Sequence, residues 1–410
     1  MSAEKRSFLF LQGPCSPFFA YLADHLRSLG HTVHKINFSS GDVVYWAPRK
    51  AYHFRDELGT LPEFLEALWL KHAITDQVLF GDCRPVHKPA ISRAESFGIR
   101  THVFEEGYFR PFWITLEREG VNSHSLLPRD PDWFKAVGKR LPESVKPQAF
   151  HSPFSVRATH DVLYNVAGLG NPLFFHRYKG HAPDPAMLEY AGYIRRFLQL
   201  KLKKSQDSEN IARLLHDKVN FYLLPLQLSS DTQITHHSNF TNMVEVIERV
   251  MQSFSHHAPS SAWLVIKIHP LDAGLFNYDK AIRQLAPYYN LTGRVLYLHS
   301  GDLNALLKYA DGTVTVNSTV GGLALSLNCP TIALADPIYN LPGLTFQGGL
   351  DAFWTGAEKP DAELFRCYSK AVIHTTQING GFYCRQGIAL AIKHADRFLD
   401  TDKSPLEAFL

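Results

Sequence analysis

The fold class is decided by the stretch Asn220-Phe-Tyr-Leu-Leu-Pro-Leu-Gln-Leu-Ser-Ser-Asp231-Thr-Gln-Ile234. It is a run of large apolar residues followed by a polar loop with one carboxylate. Strands of this composition are covered on both faces, which is typical of parallel sheets. In such sheets functional side chains gather just beyond the carboxyl ends of the strands. Asp231 occupies that position, and a solvated turn aspartate is the ordinary alternative.

The same pattern of apolar strand and amphipathic helix repeats on both sides of this stretch. Strands are predicted at 7–13, 31–38, 77–81, 100–104, 220–228, 263–269, 294–298, 313–317 and 331–334. Helices are predicted at 18–29, 61–73, 88–97, 243–254, 302–310, 320–327, 362–375 and 387–399. This alternation predicts an α/β protein of the GT-B type, with two Rossmann-like domains, a cleft between them and a closing C-terminal helix.

The predicted domain ranges follow from the gap in this alternation. An N-terminal, acceptor-side domain is expected over 1–210, with a basic and conceivably membrane-facing insertion at 130–210. A donor domain is expected over 211–355. The helices of 356–410 would complete the chain, with the option of packing back on the N-terminal domain.

Composition excludes several classes of protein. Lys and Arg total 42 against 39 Asp and Glu, a net charge of +3, which argues against general nucleic-acid binding. The five cysteines form no C-x-x-C pair, as expected for a reduced, cytoplasmic protein. The first apolar run is too short for a secretory signal, and no stretch reaches the length of a membrane-spanning helix. A membrane would therefore be met only from its cytoplasmic surface.

The segment from Pro128 to Lys218 is basic, with 15 cations against 9 carboxylates. Within it, Tyr193–Lys204 mixes aliphatic residues with arginines and lysines, and the aromatic-basic run 174–179 precedes it. A basic amphipathic segment can lie on an anionic membrane. A solvated helix whose lysines cover a domain face is an equally open interpretation.

Donor-side candidates come from two strand ends of the second half. Lys267 and His269 precede Pro270, and a cation beside an imidazole suits a phosphate or carboxylate; alternatively, His269 only caps the turn. Asn317, Ser318 and Thr319 lie between a strand and a helix, where free N–H groups favour an anion. An N-cap serving stability alone is the competing interpretation.

Acceptor-side candidates follow the strands of the first half. Glu105 and Glu106 are adjacent carboxylates, one of which is expected to face the cleft as a base. An ion pair between Glu106 and Arg110 is the alternative. Further candidates to position the acceptor or bind a carboxylate are Gln12, Gly13, Asp82, Arg84 and Arg110, with a structural Asp82–Arg84 contact also open.

Several cofactors are not expected. The chain has neither a G-x-x-x-x-G-K-[ST] nor a G-x-G-x-x-G motif, which argues against ATP hydrolysis and dinucleotide redox chemistry. Near Lys267 and His269 neither Cys nor carboxylate has metal-ligand spacing. We therefore expect no metal and no resident cofactor.

The chain resembles the capsule polysaccharide biosynthesis and export family, in particular its KpsS-type β-Kdo transferases. The resemblance spans nearly the whole chain outside 140–215. It is carried by the motifs Phe10-Leu-Gln-Gly-Pro14, Phe80-Gly-Asp-Cys-Arg-Pro-Val-His87, Phe104-Glu-Glu-Gly-Tyr-Phe-Arg-Pro111, Gly120-Val-Asn122, Leu126-Leu-Pro-Arg-Asp-Pro131, Ser230-Asp-Thr-Gln-Ile234, Val265-Ile-Lys-Ile-His-Pro270 and Val316-Asn-Ser-Thr319.

This resemblance implies an activity. It implies retaining transfer of 3-deoxy-manno-octulosonic acid (Kdo) from CMP-Kdo to phosphatidylglycerol or lyso-phosphatidylglycerol, starting the linker of a Gram-negative capsule. It places Asp231 as nucleophile, Glu105 as the strand-end carboxylate, and Lys267 and His269 at the CMP phosphate or sugar carboxylate. Glu106 replaces the family's more usual Asp, which leaves the roles of the two glutamates open.

The resemblance also implies a location and partners. The enzyme would lie on the inner face of the inner membrane, beside a second Kdo transferase and the capsule export machinery. Two other functions stay open: a transferase using another nucleotide sugar, and a non-catalytic component of the export assembly.

Overall fold

The computed structural model of the protein describes residues 5–143, 146–180, 186–228, 238 and 240–410. These residues belong to two compact units. Unit 1 comprises Met1–Leu127, Leu141–His181 and Lys370–Leu410, and unit 2 comprises Pro128–Arg140 and Ala182–Ser369. The predicted α/β class with two Rossmann-like units, as in GT-B proteins, is confirmed.

Unit 1 is built on a seven-stranded sheet. Its strands are β1 Ser7–Phe10, β2 Thr32–Asn37, β3 Tyr52–His53, β4 Asp76–Phe80, β5 Arg100–Glu106, β6 Trp113–Arg118 and β12 Gln377–Asn379. Their order is β12-β6-β5-β4-β1-β2-β3. The five strands from β5 to β3 are parallel, whereas β6 runs antiparallel to β5 and to β12.

The helices of unit 1 cover both faces of this sheet. They are α1 Phe18–Ser28, α2 Ser40–Trp46, α3 Leu61–His72, α4 Lys88–Ala94, α6 Phe154–Gly168, α7 Asn171–Phe174 and α15 Arg385–Leu399. Alternate residues of β1 point to opposite faces, as the strand period requires. Phe8 and Phe10 pack in the core beneath α1 and α15, and Leu9 and Leu11 pack in the core beneath α3 and α4.

Unit 2 contains a five-stranded sheet whose strands are all parallel. Its strands are β7 Phe221–Pro225, β8 Trp263–Lys267, β9 Val295–Leu298, β10 Gly312–Thr315 and β11 Thr331–Ala333, in the order β11-β10-β7-β8-β9. Its helices are α5 Pro131–Arg140, α8 Ala186–His216, α9 Met243–His257, α10 Tyr278–Tyr288, α11 Leu303–Tyr309, α12 Thr319–Ser326 and α13 Leu350–Gly356. Helix α14, Ala362–Thr376, begins in unit 2 and ends in unit 1.

The opening stretch forms the centre of this second sheet. Strand β7 is fully buried and lies between β10 and β8. Leu224 points into the core beneath α9, and Leu223 into the core beneath α11 and α12. The expected strand is therefore present, although it ends at Pro225 rather than Leu228.

The unit boundaries differ from the expected ranges. The segments 128–140 and 182–210 belong to unit 2 rather than to an N-terminal domain of 1–210. The reason for the second shift is visible in α8, because Arg196 and Asp207 both hydrogen-bond to the end of β9. Residues 370–410 belong to unit 1, where β12 extends the sheet.

None of the helices in the described part of the chain is long and apolar enough to cross a membrane.

Candidate functional site

The strand ends of unit 1 bring predicted acceptor-side residues to one edge of the sheet. Gln12 follows β1, Arg84 follows β4, and Glu105 lies near the end of β5. The three strands are parallel neighbours, so their carboxyl ends meet at this edge. Backbone hydrogen bonds continue the register past the strands, with Phe80 N donating to Gln12 O at 3.3 Å. We call this edge the unit 1 site.

Glu105 is the carboxylate of the unit 1 site with an altered acidity. Its Oε1 accepts a hydrogen bond from the N–H of Glu106 at 2.9 Å. Burial raises the pKa of Glu105 to about 7, while the Glu106 N–H and the charge of Arg84 oppose this rise. A carboxylate with a pKa near neutrality can take up and release a proton at physiological pH, as a general base must.

Gly81 lies beside both this carboxylate and Arg84. A methyl group on Gly81 would lie 3.3 Å from Oε2 of Glu105 and 4.0 Å from Nε of Arg84. The carboxylate and the guanidinium are therefore close neighbours at this strand end.

Arg84 is held by the loop that follows β1. Its Nη1 donates to Oε1 of Gln12 and to the carbonyl of Gly13, both at 3.1 Å. Its guanidinium lies 5.1 Å from the ring centroid of Phe80. Gln12 and Gly13 thus position a fixed positive charge, and the expected alternative of an Asp82–Arg84 contact is wrong.

Three residues of the unit 1 site were missed by the sequence analysis. The amide of Gln12 donates to the hydroxyls of Tyr178 and Tyr164, at 3.0 and 3.1 Å. Tyr164 in turn donates to Oδ1 of Asp42 at 3.1 Å. Asp42 was accessible to sequence reasoning, because it closes a capping box with Ser39 at the start of α2. The two tyrosines carry no comparable local signal.

Glu106 has a partner that the sequence did not suggest. Its Oε1 lies 3.3 Å from Nη1 of Arg157 in α6, whereas Nε of Arg110 donates to the carbonyl of Gly107. The alternative ion pair between Glu106 and Arg110 is therefore wrong, because Arg110 turns back onto its own loop. Arg157 also lies 4.9 Å from the ring centroid of Tyr383.

Asp82 positions a neighbouring loop. Its Oδ2 accepts hydrogen bonds from the N–H of Val121 at 3.1 Å and from Nδ1 of His124 at 2.9 Å. Cys83 brings a third potential metal donor within 4.8 Å of these groups. Burial and the neighbouring Asp82 raise the pKa of the Cys83 thiol to about 12, which keeps the sulfur protonated. Asp82 thus holds the loop that carries Val121 and His124.

Unit 2 places two buried cations at its own strand ends. Lys267, the last residue of β8, is buried, and burial together with the charge of Arg196 lowers its pKa. Arg196 of α8 is also buried and donates from Nη1 to Nδ1 of His299 at 2.9 Å and from Nη2 to the His299 carbonyl at 3.1 Å. The carboxylate of Asp207, which is also in α8, partly balances the positive charges of Lys267 and Arg196. Arg196 is therefore not the surface cation that a membrane-facing segment would require.

A cavity of about 200 Å³ is lined by Arg196, although not by Lys267. Its walls carry three cations, Arg195, Arg196 and Lys203, against one carboxylate, Asp279, together with apolar residues such as Leu202 and Phe276. Arginine and lysine side chains bind phosphate and carboxylate groups through charge-assisted hydrogen bonds. The cavity is thus chemically suited to an anionic ligand.

The other donor-side candidates make contacts within their loops. Strand β8 ends at Lys267, so the strand period does not fix the direction of His269, whose Nδ1 accepts from the N–H of Leu271 at 3.1 Å. Asn317 and Gln227 exchange two hydrogen bonds, of 3.0 and 3.2 Å.

Ser318 and Thr319 lie where the sequence placed them. Ser318 is the N-cap of α12, and its side chain accepts from the N–H of Val320 at 3.2 Å. Thr319 is the first residue of that helix. The N-cap contact fits the stability interpretation, and a phosphate site at this helix start stays a prediction.

Asp231 lies outside the described residues. Its predicted role as nucleophile stays a prediction.

Comparison with known proteins shows the family. The chain matches the family described as "Capsule polysaccharide biosynthesis protein" over residues 75–383. It is 36% identical to the capsule polysaccharide export protein KpsS of Escherichia coli, over 92% of this chain and 97% of that protein. The chain belongs to this capsule polysaccharide biosynthesis family. As a family member, it is also 36% identical to the capsule polysaccharide modification protein LipB of Neisseria meningitidis serogroup B, over 93% of this chain and 92% of that protein.

Among solved structures, this family member is similar to a β-Kdo 2,7 transferase, KpsC of Thermosulfurimonas dismutans. The two are 13% identical, with a TM-score of 0.44, over 99% of this chain and 97% of that chain. The resemblance predicted from the motifs is confirmed at the level of the family.

Proposed function

We propose that the protein is a retaining β-Kdo transferase that moves Kdo from CMP-Kdo to phosphatidylglycerol or its lyso form, starting the linker of a capsular polysaccharide. Membership of the capsule family supports the pathway, and the motif resemblance supports donor and acceptor. One structural observation carries the chemistry: burial raises the pKa of Glu105 to about 7, and Arg84 lies close to the same carboxylate.

The first step in this proposal is attack by Asp231 on the anomeric carbon of CMP-Kdo. A bond forms between a carboxylate oxygen and that carbon, and the bond from the carbon to the phosphate oxygen breaks. CMP leaves with the bonding electron pair. A phosphate leaving group needs charge stabilisation rather than a strong acid, and Lys267, His269 and the start of α12 are the proposed source.

The second step restores the nucleophile. Glu105 takes the proton of a glycerol hydroxyl, and the hydroxyl oxygen displaces the Asp231 carboxylate from the anomeric carbon. Two displacements return the original configuration. Arg84 supplies a fixed cation for the Kdo carboxylate or the lipid phosphate, which its fork of N–H donors suits.

The experiment that tests this function uses Asp231→Ala and Asp231→Asn. We expect the rate of Kdo transfer to fall at least about 100-fold in both variants, because no carboxylate is left to attack the anomeric carbon. Intact-protein mass after incubation with CMP-Kdo alone is expected to rise by one Kdo in the wild type and in neither variant. Full activity in either variant would contradict the nucleophile assignment.

The two alternatives have distinct signatures in the same assay. A transferase with another donor would ignore CMP-Kdo and consume CMP-sialate or a UDP-sugar. A non-catalytic export component would turn over none of these donors.

A further inference from the structure

We propose that an exposed apolar surface of unit 1 docks the protein onto an anionic lipid bilayer. This surface, the α6–α7 face, consists of Val162, Leu163, Val166, Leu169, Leu173 and Phe174. The proposal rests on the lipid acceptor of the proposed function and adds the surface through which that lipid is reached. It differs from the basic segment 193–204 that the sequence suggested.

The α6–α7 face is more apolar than an ordinary protein surface. Its six large apolar side chains are between 43% and 81% exposed, with Leu169 at 74% and Leu173 at 81%. Single exposed leucines are common, but a contiguous exposed apolar patch marks an interaction site. Six such residues within 162–174 concentrate exposed apolar surface on two successive helices.

Helix α6 carries this face opposite its buried contacts. At about 100° per residue, Val162, Val166 and Leu169 share one side, and Tyr164 and His160 lie half a turn away. The inner side packs tightly on α2, since a methyl group on Gly41 would come within 2.6 Å of the Tyr164 ring. Tyr45 adds a hydrogen bond to Nδ1 of His160 at 2.8 Å. The apolar side is therefore fixed toward solvent.

The same helix forms part of the unit 1 site. Arg157 pairs with Glu106, and Tyr164 accepts from Gln12. A helix with its side chains is about 10 Å across. A lipid whose chains lie against the outer side of α6 would thus hold its head group within roughly one helix diameter of the strand ends. This geometry matches a glycerol hydroxyl that must reach Glu105.

A basic groove lies in the same unit and gives it a preference for anions. The groove encloses about 860 Å³, and its walls carry the cations Arg27, Lys35, Arg49 and Lys50. His34 and His53 also line it, but burial lowers the pKa of both imidazoles, so they add little charge at neutral pH. Asp24 pairs with Arg27 and Arg49, which leaves the groove basic on balance.

The residue after α7 connects this helix to the groove, because the buried Phe175 contacts His53, which lines the groove. The His53 ring lies 5.9 Å from that of Phe175, and the guanidinium of Arg55 lies 5.8 Å from the same ring. Apolar side chains beside cations are the pattern of a surface that enters an anionic interface.

The charge also argues against a second copy of the chain as the occupant. In a two-fold dimer each surface meets itself. Pairing two α6–α7 faces would bring two basic grooves together, with like charges opposed. An anionic bilayer meets both the apolar and the basic parts favourably.

The test is co-sedimentation of the full-length protein with vesicles of phosphatidylglycerol and phosphatidylethanolamine. We expect the wild type to bind, and Leu169→Gln combined with Leu173→Gln to weaken binding at least ten-fold. Leu70→Gln is the matched control, because Leu70 is also 74% exposed in the same unit but lies on α3. Equal binding by the double variant and the wild type would overturn the proposal.

A second pair of variants tests the charge. Lys50→Gln is expected to weaken binding several-fold, and Lys393→Gln, an exposed lysine of α15, to leave it unchanged. Vesicles of phosphatidylcholine alone should bind the wild type at least ten-fold more weakly. If the double leucine variant instead splits a wild-type dimer without changing vesicle binding, the face is a protein interface and the proposal is wrong.

Failure of this proposal can be told apart from failure of the proposed function. Vesicle binding is measured without donor, and Kdo transfer is measured separately on a short-chain phosphatidylglycerol that is soluble as monomers. The double leucine variant should keep transfer to the soluble acceptor and lose transfer to vesicles. Vesicle binding without any transfer would refute the function and leave the docking surface standing.

Discussion

Glu105 and its neighbour Glu106 differ in their surroundings, and this changes the acidity of Glu105. Its backbone position at the end of a buried strand withdraws the carboxylate from water, which raises its pKa to about 7. Its neighbour Glu106 is held instead by Arg157 at 3.3 Å. The two adjacent glutamates thus have different surroundings, which is why the proposed function uses Glu105 as the base.

Replacing each glutamate in turn tests which of the two is the base. Glu105→Gln should lower the rate of transfer about 100- to 10,000-fold, the usual worth of a general base. In the wild type the rate should rise with pH through about 7, because only the carboxylate accepts a proton. Steady-state kinetics between pH 5.5 and 8.5 measure both effects. Glu106→Gln is the control, and its transfer rate should still rise with pH through about 7, since Glu105 is intact. If the rate of Glu105→Gln rose with pH in the same way as that of the wild type, Glu105 would not be the base.

The substitution Glu105→Gln should also stabilise the fold at high pH. The raised pKa means that the folded state binds more protons than the unfolded state between pH 4.5 and about 7, so its stability falls as pH rises through that window. Above pH 7 the ionised Glu105 costs about 3 kcal/mol, the free energy that corresponds to a pKa raised from 4.5 to about 7. Glu105→Gln should therefore unfold at a higher denaturant concentration than the wild type at pH 8, and at the same concentration near pH 4.5.

At the scale of single elements, Asp207 is one of two side chains that hold helix α8 against the end of β9, the other being Arg196. Oδ2 of Asp207 accepts from the N–H groups of His299 and Ser300, at 3.0 and 2.9 Å, and from the Ser300 hydroxyl at 3.0 Å. Asp207 is only 3% exposed. The helix that the sequence suggested as membrane-facing therefore has a buried polar side.

Asp207→Ala tests this anchor. Loss of the carboxylate leaves two backbone N–H groups without their acceptor and should lower the free energy of unfolding by about 2–4 kcal/mol. Urea denaturation measures the change. Asp217→Ala is the matched control, because Asp217 lies just beyond α8 with a side chain 62% exposed, and surface changes of this kind cost within about 0.5 kcal/mol. An equal, small effect of both substitutions would show that Asp207 is not an anchor.

The elements that the sequence predicted are those whose signals are local. The parallel strands appear as short apolar runs, because burial on both faces demands apolar residues at successive positions. Strand β12 has only three residues, and they pair with β6 residues that lie 262 to 266 positions earlier in the chain. Because the strand depends on this distant pairing, no local sequence pattern predicts it. Helix α6 was missed because its usual pattern is reversed, with Val162 and Val166 outside and Tyr164 inside.

The residues of the candidate site could likewise be predicted only where the signal is local. Strand-end residues such as Gln12, Arg84 and Glu105 could be predicted, because parallel strands place their carboxyl ends at one edge. Their partners could not, since Gln12 and Tyr164 are 152 positions apart and their hydrogen bond depends on how α6 packs. The same holds for Arg196 and His299, which are 103 positions apart.

At the scale of the whole molecule, the proposed function assigns one half of a transfer reaction to each unit. Unit 1 holds a base of near-neutral pKa beside a fixed arginine, and unit 2 holds Lys267 and Arg196 at its strand ends. A base suits an acceptor hydroxyl, and buried cations suit a phosphate leaving group. The proposed function assigns the lipid to unit 1 and the nucleotide to unit 2.

The most direct test of the proposed function is analysis of the lipid product. Purified protein is incubated with CMP-Kdo and phosphatidylglycerol, and the lipid is examined by mass spectrometry and by NMR of the anomeric centre, with CMP-sialate and UDP-sugars as competing donors. We expect one Kdo to be added to the lipid in β linkage, from CMP-Kdo only, with Glu105→Gln forming at most about one hundredth as much. Consumption of another donor, or an unmodified lipid, would contradict the proposed function.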